Sequence, residues 1–392
     1  MRYFIIAGEQ SGDLHGSNLV KELKEADTEA EIHCWGGDLM VAAGATLLMH
    51  YRETAFMGFT VILKNLKTIY RNLSLCKQHI TCFKPDVVIL IDYPGFNLRI
   101  ARFAGIAGIR VFYYISPKLW AWHESRVGQI KKYVDRMYII FPFEVQFYEK
   151  HGIHVEYRGN PLVDETEKRI AGLPGKQDLM RTLSPEEKPV IGLLAGSRRH
   201  EVEYILPQMM KIVRHFPGYQ FILAGVRNLP DELYMKIIGN EPVKLLKEKT
   251  YEVLKISEAA LVKSGTATLE AALFSVPQVV CYKGDFFSTL IAWLVVRVKY
   301  ISLVNLIMGS EVVRELKGYS LNKRNLLKEL RSILPGGESR GKVLENYKQV
   351  GIKLGPAGAS GRIAKDMVEW LNGTTAQRQN GSTAQRHKGA AV

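Results

Sequence analysis

Residues 189–199 read Pro-Val-Ile-Gly-Leu-Leu-Ala-Gly-Ser-Arg-Arg, an apolar run that breaks at Gly196 into a polar turn. A strand covered on both faces is apolar without alternation, and a glycine lets the chain turn sharply where it ends, so this stretch reads as a strand feeding a helix. The chain opens in the same form: residues 3–7 are apolar and lead into Gly8-Glu9-Gln10-Ser11-Gly12-Asp13. Outward from these two starts, runs at 87–91, 111–115 and 137–140 continue the first series, and runs at 220–224, 260–262 and 278–281 the second. Strand-like runs alternating with longer amphipathic stretches predict an α/β chain of two doubly wound Rossmann-like domains facing a cleft, with ligands at the carboxyl ends of the strands. The charged stretch near 165–185, with Gly172, Pro174, Gly175 and Pro185, marks the boundary. The expected ranges are 1–170, 171–372 and a disordered tail at 373–392, which is polar and carries Thr-Ala-Gln-Arg twice.

At 392 residues and 47% hydrophobic, the chain can bury two cores. Its 53 Lys and Arg against 39 Asp and Glu give a net charge of +14, which suits an anionic partner without choosing among nucleic acid, phosphorylated substrate and acidic membrane. Cys34, Cys76, Cys82 and Cys281 lack the close pairing of a zinc site or redox dithiol and read as reduced core thiols of a cytoplasmic protein. The N-terminal apolar run is too short for a signal peptide, and no window reaches the roughly 18 apolar residues of a membrane span. Membrane contact is therefore expected to be peripheral. Two segments suit it. Residues 57–73 set Phe59, Ile62, Leu66 and Leu73 at helical spacing beside Lys64, Lys67 and Arg71, and residues 286–300 combine Phe, Trp and aliphatics with Arg297 and Lys299. An ordinary core-packing helix is the competing reading of the first.

Chemistry concentrates at the expected strand ends. Gly196, Ser197 and Arg198 offer backbone N–H groups, a hydroxyl and a guanidinium to phosphate oxygens, although a plain turn with a surface Arg has the same form. Ser264, Gly265 and Thr266 form a second hydroxyl-rich helix start. Glu270, one turn on, can hold a ribose diol or merely complement the helix dipole. Together the loops favour a nucleotide diphosphate. Neither has the spacing of an NTPase phosphate loop or of Gly-x-Gly-x-x-Gly, which argues against ATP hydrolysis and dinucleotide binding. Asp92 closes the run 87–91, where a carboxylate can serve as general base or cap the following turn. Glu9 and Ser11 share that ambiguity. No Asp-x-Asp pair occurs, so a metal-held sugar diphosphate has no obvious ligands; no metal and no cofactor are expected.

Seven motifs, taken jointly and in order, resemble the lipid-A-disaccharide synthase family: residues 8–13; Ile91-Asp92-Tyr93-Pro94-Gly95-Phe96-Asn97; Tyr114-Ile115-Ser116-Pro117 with Trp120-Ala121-Trp122; Pro142-Phe143-Glu144; Leu193-Leu194-Ala195-Gly196-Ser197-Arg198; residues 264–270; and Ser302-Leu303-Val304-Asn305-Leu306. The resemblance implies the GT-B fold, with UDP held mainly by the second domain and the acceptor by the first. It implies inverting, metal-independent transfer from UDP-2,3-diacylglucosamine to 2,3-diacylglucosamine 1-phosphate, giving a β(1→6) disaccharide for lipid A and UDP. Asp92 becomes the catalytic carboxylate, Arg198 and Asn305 the diphosphate contacts and Glu270 the ribose contact, while Glu9 and Ser11 line the cleft. It also implies peripheral attachment to the inner membrane of a Gram-negative bacterium and allows a homodimer. The chain departs from the family pattern at Gln10, Val61, His123, Asn160, Ala195 and Val304, of which Val61 and His123 bear on the acceptor and its acyl chains.

Two rivals remain at this level. Another GT-B enzyme, a UDP-N-acetylglucosamine 2-epimerase or a different lipid-linked sugar transferase, would share the loop at 264–270. A basic binding protein would use the net charge alone, but carboxylates at Glu9, Asp92 and Glu270 would repel nucleic-acid phosphates, so no nucleic acid partner is expected.

Overall fold

The computed structural model describes residues 1–53, 66–120, 124–184, 188–284 and 299–388, with side chains at 66, 124 and 374–388 left aside. Seven parallel strands form the first sheet: β1 (Arg2–Ala7), β2 (Glu31–Gly36), β3 (Thr46–His50), β4 (Val87–Ile91), β5 (Arg110–Tyr114), β6 (Arg136–Ile139) and β7 (Glu156–Tyr157). Their order is β3-β2-β1-β4-β5-β6-β7. β4 is buried at every position because helices cover both faces of the sheet. Its neighbour β1 still sorts its side chains by alternation: Phe4 and Ile6 join Val88 and Leu90 in one core, while Tyr3, Ile5 and Ala7 join Val87, Ile89 and Ile91 in the other.

The second sheet repeats the plan with β8 (Val190–Leu194), β9 (Gln220–Gly225), β10 (Val243–Lys247), β11 (Ser257–Lys263), β12 (Gln278–Tyr282) and β13 (Arg314–Lys317), in the order β10-β9-β8-β11-β12-β13. In each sheet the winding reverses once, between β1 and β4 and between β8 and β11. At such a switch point adjacent crossovers leave on opposite faces and open a crevice at the strands' carboxyl ends. All eight expected strands are present. β2, β3, β7, β10 and β13 were not expected, because they are short or polar and mostly lie toward sheet edges, where one flank needs no apolar cover.

The chain divides into two compact units, Met1–Pro161 with Gly358–Val392, and Leu162–Ala357. This differs from the expected ranges at the C-terminus. The helix Ala359–Lys388 sets Ile363, Ala364, Met367, Val368 and Leu371 on one stripe, and these residues complete the core of the first unit rather than the second. Trp370 meets Phe112 edge to face at 5.3 Å, and Asp366 pairs with Arg136 at 2.8 Å and Arg158 at 2.6 Å. The helical backbone also continues through the segment expected to be a disordered tail, as far as Lys388.

Of the first membrane segment, residues 57–65 lie outside the described residues. Its remainder opens the helix Leu66–Phe83, where Ile69 and Leu73 pack on the core, as a core-packing helix requires, and Tyr70 is exposed. Residues 286–298 of the second segment also lie outside the described residues, as do Val61 and His123. No described helix is long and apolar enough to cross a membrane. Cys34, Cys76 and Cys281 are buried free thiols, whereas Cys82, expected in the core, is exposed.

Candidate active site

Asp92 stands one residue beyond β4, beside the end of β1, and so at the switch point of the first sheet. Its backbone is left-handed at φ 44°, as is Tyr93 at 47°, and Ile115 beyond β5 has φ 62°. Three side-chain-bearing residues in this region of conformational space cost about 1–3 kcal/mol each and persist only where their surroundings hold them. Here the hold is visible. The Tyr113 hydroxyl and Asn97 Nδ2 donate to the Asp92 carbonyl at 2.6 and 2.8 Å, the Asp92 N–H donates to Tyr114 O at 3.1 Å, and the Ile115 N–H donates to Tyr138 O at 3.0 Å.

The following helix, Pro94–Ile106, is capped at Tyr93 rather than at Asp92, whose carboxyl accepts from the Tyr93 amide. Burial pushes the Asp92 carboxyl up to about 6; the Lys118 charge and the Tyr93 amide oppose this, and the Glu9 charge adds to it. Glu9 caps the helix Gln10–Ala26 by backbone only and is partly buried, and Ser11 is exposed in the first turn. Gly8 is required beside them: a Cβ there would lie 2.3 Å from the Tyr93 ring. Asp13, the last residue of the opening motif, has a structural role that the sequence reading did not assign. Buried, it accepts from the Gly37, Leu39 and Met40 amides at 2.8, 3.2 and 3.1 Å and so caps the helix Asp38–Ala42.

In the second unit, Leu194 of β8 pairs with Val262 of β11, so the loops that follow these strands are neighbours. Gly196, Ser197 and Arg198 make the expected turn into the helix Arg199–Met210, with Gly196 at φ 117°. The Ser197 and Arg198 amides, however, are already occupied. Glu201 Oε2 accepts from the Ser197 and Arg198 N–H groups at 3.0 and 3.2 Å, and Glu201 Oε1 meets Lys263 Nζ at 2.7 Å. Burial opposes charge on Glu201, but Lys263 and the two amides hold its carboxyl below the usual range. What the loop presents outward is therefore the exposed Ser197 side chain and the Arg198 guanidinium, which sits 3.6 Å from Glu201 Oε1 and is 58% exposed. The Arg198-x-x-Glu201 spacing, half of a capping box, was a readable signal for this arrangement.

Gly265 caps the helix Thr266–Leu273, leaving Thr266 exposed at its start. The Ser264 hydroxyl donates to Ile301 O at 2.7 Å and its N–H to Cys281 O at 3.1 Å, so both donors tie this loop to neighbouring segments. Glu270 lies beyond the first turn of its helix, which contains no acidic residue, and the dipole reading loses its basis. Burial raises its carboxyl, which accepts from the Tyr251 hydroxyl at 3.0 Å and also feels the Glu165 charge.

Asn305, expected as a diphosphate contact, is engaged within the fold. It is fully buried; its Nδ2 donates to Val313 O and Glu315 Oε1 at 2.8 and 2.9 Å, and its Oδ1 accepts from the Val312 and Val313 amides at 2.8 and 3.0 Å. An amide side chain has two donors and two lone pairs, and all four are used here. Asn305 instead ties the helix Leu303–Met308 to β13, and Glu315 extends the tie by accepting from the Ile301 and Ser302 amides and the Ser302 hydroxyl. Among the described residues no cluster of His, Cys, Asp and Glu could hold a metal ion.

The family model for lipid-A-disaccharide synthetase matches residues 3–354. The lipid-A-disaccharide synthase of Geobacter metallireducens is 37% identical over 379 residues, covering 94% of this chain and 97% of its own. That of Syntrophus aciditrophicus is 37% identical over 369 residues, covering 92% and 95%. Among solved structures, the UDP-GlcNAc 2-epimerase of Neisseria meningitidis bound to UDP-GlcNAc superposes with a TM-score of 0.66 at 13% identity, covering 94% of this chain and all of its own. The calicheamicin glycosyltransferase does so with 0.59 at 16%, covering 96% and 99%. At such identities these two establish the shared GT-B architecture alone. The family match spans both switch points and nearly the whole length, and the chain belongs to the lipid-A-disaccharide synthetase family, glycosyltransferases that form the lipid A disaccharide.

Proposed function

We propose that the chain transfers 2,3-diacylglucosamine from UDP to the 6-hydroxyl of 2,3-diacylglucosamine 1-phosphate with inversion and without a metal ion. The observation that carries this reading is Asp92, a partly buried carboxylate at the first switch point whose pKa is raised to about 6. A base poised near neutrality is ionised at working pH yet more basic than an ordinary carboxylate. In the reaction Asp92 takes the proton of the acceptor hydroxyl, the freed oxygen forms its bond to the anomeric carbon, and the bond from that carbon to UDP breaks. One displacement on an α-linked donor gives the β product.

The departing UDP gathers charge on its diphosphate. Arg198, the Ser197 hydroxyl and the helix start at Gly265 and Thr266 are the proposed stabilisers, with Glu270 on the ribose; Ser264 and Asn305 act by holding the loops. The lack of any Asp-x-Asp pair supports metal independence. The net charge of +14 supports work at an acidic membrane surface, where acylated substrates reside.

Mass spectrometry of products tests the reading. Donor and acceptor together should yield the disaccharide and UDP, and donor alone should remain unchanged. Conversion of UDP-sugar without acceptor would favour an epimerase instead.

A further inference from the structure

A buried carboxyl that the proposed reaction does not use lies under the loop beside Asp92. Glu144, in the first turn of the helix Phe143–Glu149, is 1% exposed. Its Oε1 accepts from the Ser116 hydroxyl and from Trp120 Nε1 at 3.1 Å, and its Oε2 accepts from the Phe141 N–H at 3.0 Å. From the same helix the Tyr148 hydroxyl reaches Pro117 O at 3.4 Å. Both ends of the stretch from Ser116 to Trp120 are therefore pinned from one side, while Lys118, at its middle, is exposed. That stretch leaves β5 next to Asp92, because Ile91 pairs with Tyr114 and the Asp92 N–H is bonded to Tyr114 O.

We propose that Glu144 is a positioning residue: by pinning the Ser116–Trp120 loop from beneath, it keeps Lys118 in the field of Asp92. A carboxyl with several donors aimed at it favours its charged form, whereas burial pushes Glu144 up to about 7, so the group is costly to keep. A structure that needed only to fill this space could use an uncharged side chain. The groups facing Asp92 are Glu9 from the β1 end, Lys118 from the β5 loop and the Tyr113 ring from β5; those facing Glu144 are Ser116, Trp120, Tyr148 and Tyr157. Lys118 is the cation among them, and it lowers the Asp92 pKa.

The inference rests on Asp92 as the base, and the test separates the two. In the full-length enzyme, Glu144→Gln turns one acceptor into a donor and releases part of the loop. The Asp92 carboxyl, followed by infrared difference against Asp92→Asn, should then titrate about half a unit to one unit higher, and the acid limb of kcat/KM should move up with it. Lys118→Met should move both in the same direction, and adding Glu144→Gln to Lys118→Met should shift the Asp92 titration no further. Ser116→Ala, which removes one donor, should give a smaller shift with the same sign and serves if Glu144→Gln does not fold. An unchanged titration, or an equal shift with Lys118 already removed, overturns the proposal. Near-native turnover of Asp92→Asn would remove the base, while the titration would still decide what Glu144 does.

Discussion

The two switch points share one topology and hold opposite chemistry. At the first, Asp92 lies on a backbone strained at Asp92, Tyr93 and Ile115, and burial drives its carboxyl up. At the second, the positive φ falls on Gly196, where it costs nothing, and the buried carboxyl of Glu201 is driven down by Lys263 and two amides. Strand order decides where a crevice opens. The loop residues decide whether it holds a carboxyl pushed up by burial or a fixed charge that orders the loop's own amides.

The largest effect expected from this contrast is the loss of the base. Asp92→Asn should lower turnover by about 10² to 10⁴, the usual range for a general base, and leave UDP affinity by calorimetry unchanged. In the unaltered enzyme, kcat/KM should fall about tenfold per pH unit below about 6, because protonation removes the base, and should level off above it. Near-native turnover in the Asn variant would erase the distinction between the two sites.

Next in size is Arg198→Ala, expected to weaken UDP binding and turnover together by about tenfold to a hundredfold, as for a hydrogen bond to a charged group. A loss confined to turnover would mean that Arg198 meets the diphosphate only in the transition state. Asn305→Ala should instead show in stability. It strands the Val312 and Val313 amides, and chemical denaturation should report a loss on the order of 3 kcal/mol. A stable variant with weakened UDP binding would return Asn305 to the ligand. Smallest is Tyr251→Phe, which deletes one hydrogen bond to Glu270 and should alter UDP affinity by roughly threefold to tenfold. Excess EDTA should leave the rate unchanged, and a loss restored by Mg²⁺ would call for a metal that this mechanism does not include.

Much of this was readable in the chain. The repeated apolar start at residues 3–7 and 189–195 disclosed two Rossmann-like domains because central parallel strands are apolar on both faces. Asp92 and the Gly196 loop were readable because a strand that stops at a polar residue marks the carboxyl edge. Side chains that satisfy one another across the sequence were not. Lys263 finding Glu201, and Asn305 spending its whole amide on Val312, Val313 and Glu315, depend on distances that no local pattern records. Glu144 lay within a recognised motif, yet its partners Ser116 and Trp120 come from another loop. Residues 358–372 fell within the expected second domain, whereas they join the first unit, because no local pattern says against which core a segment will pack.

That helix bears on the order in which the molecule can be made. The second unit is contiguous from Leu162 to Ala357, so it has all its residues before the first unit does. The first unit must wait for Ile363, Ala364, Met367, Val368 and Leu371, although its opening strand left the ribosome first. A nascent chain that has not yet reached residue 359 carries Leu19, Val20 and Leu23 without their cover, an apolar face of the kind that chaperones retain and that aggregates when it is not held. A pause in translation within the last helix would therefore harm the earliest-made part of the protein most.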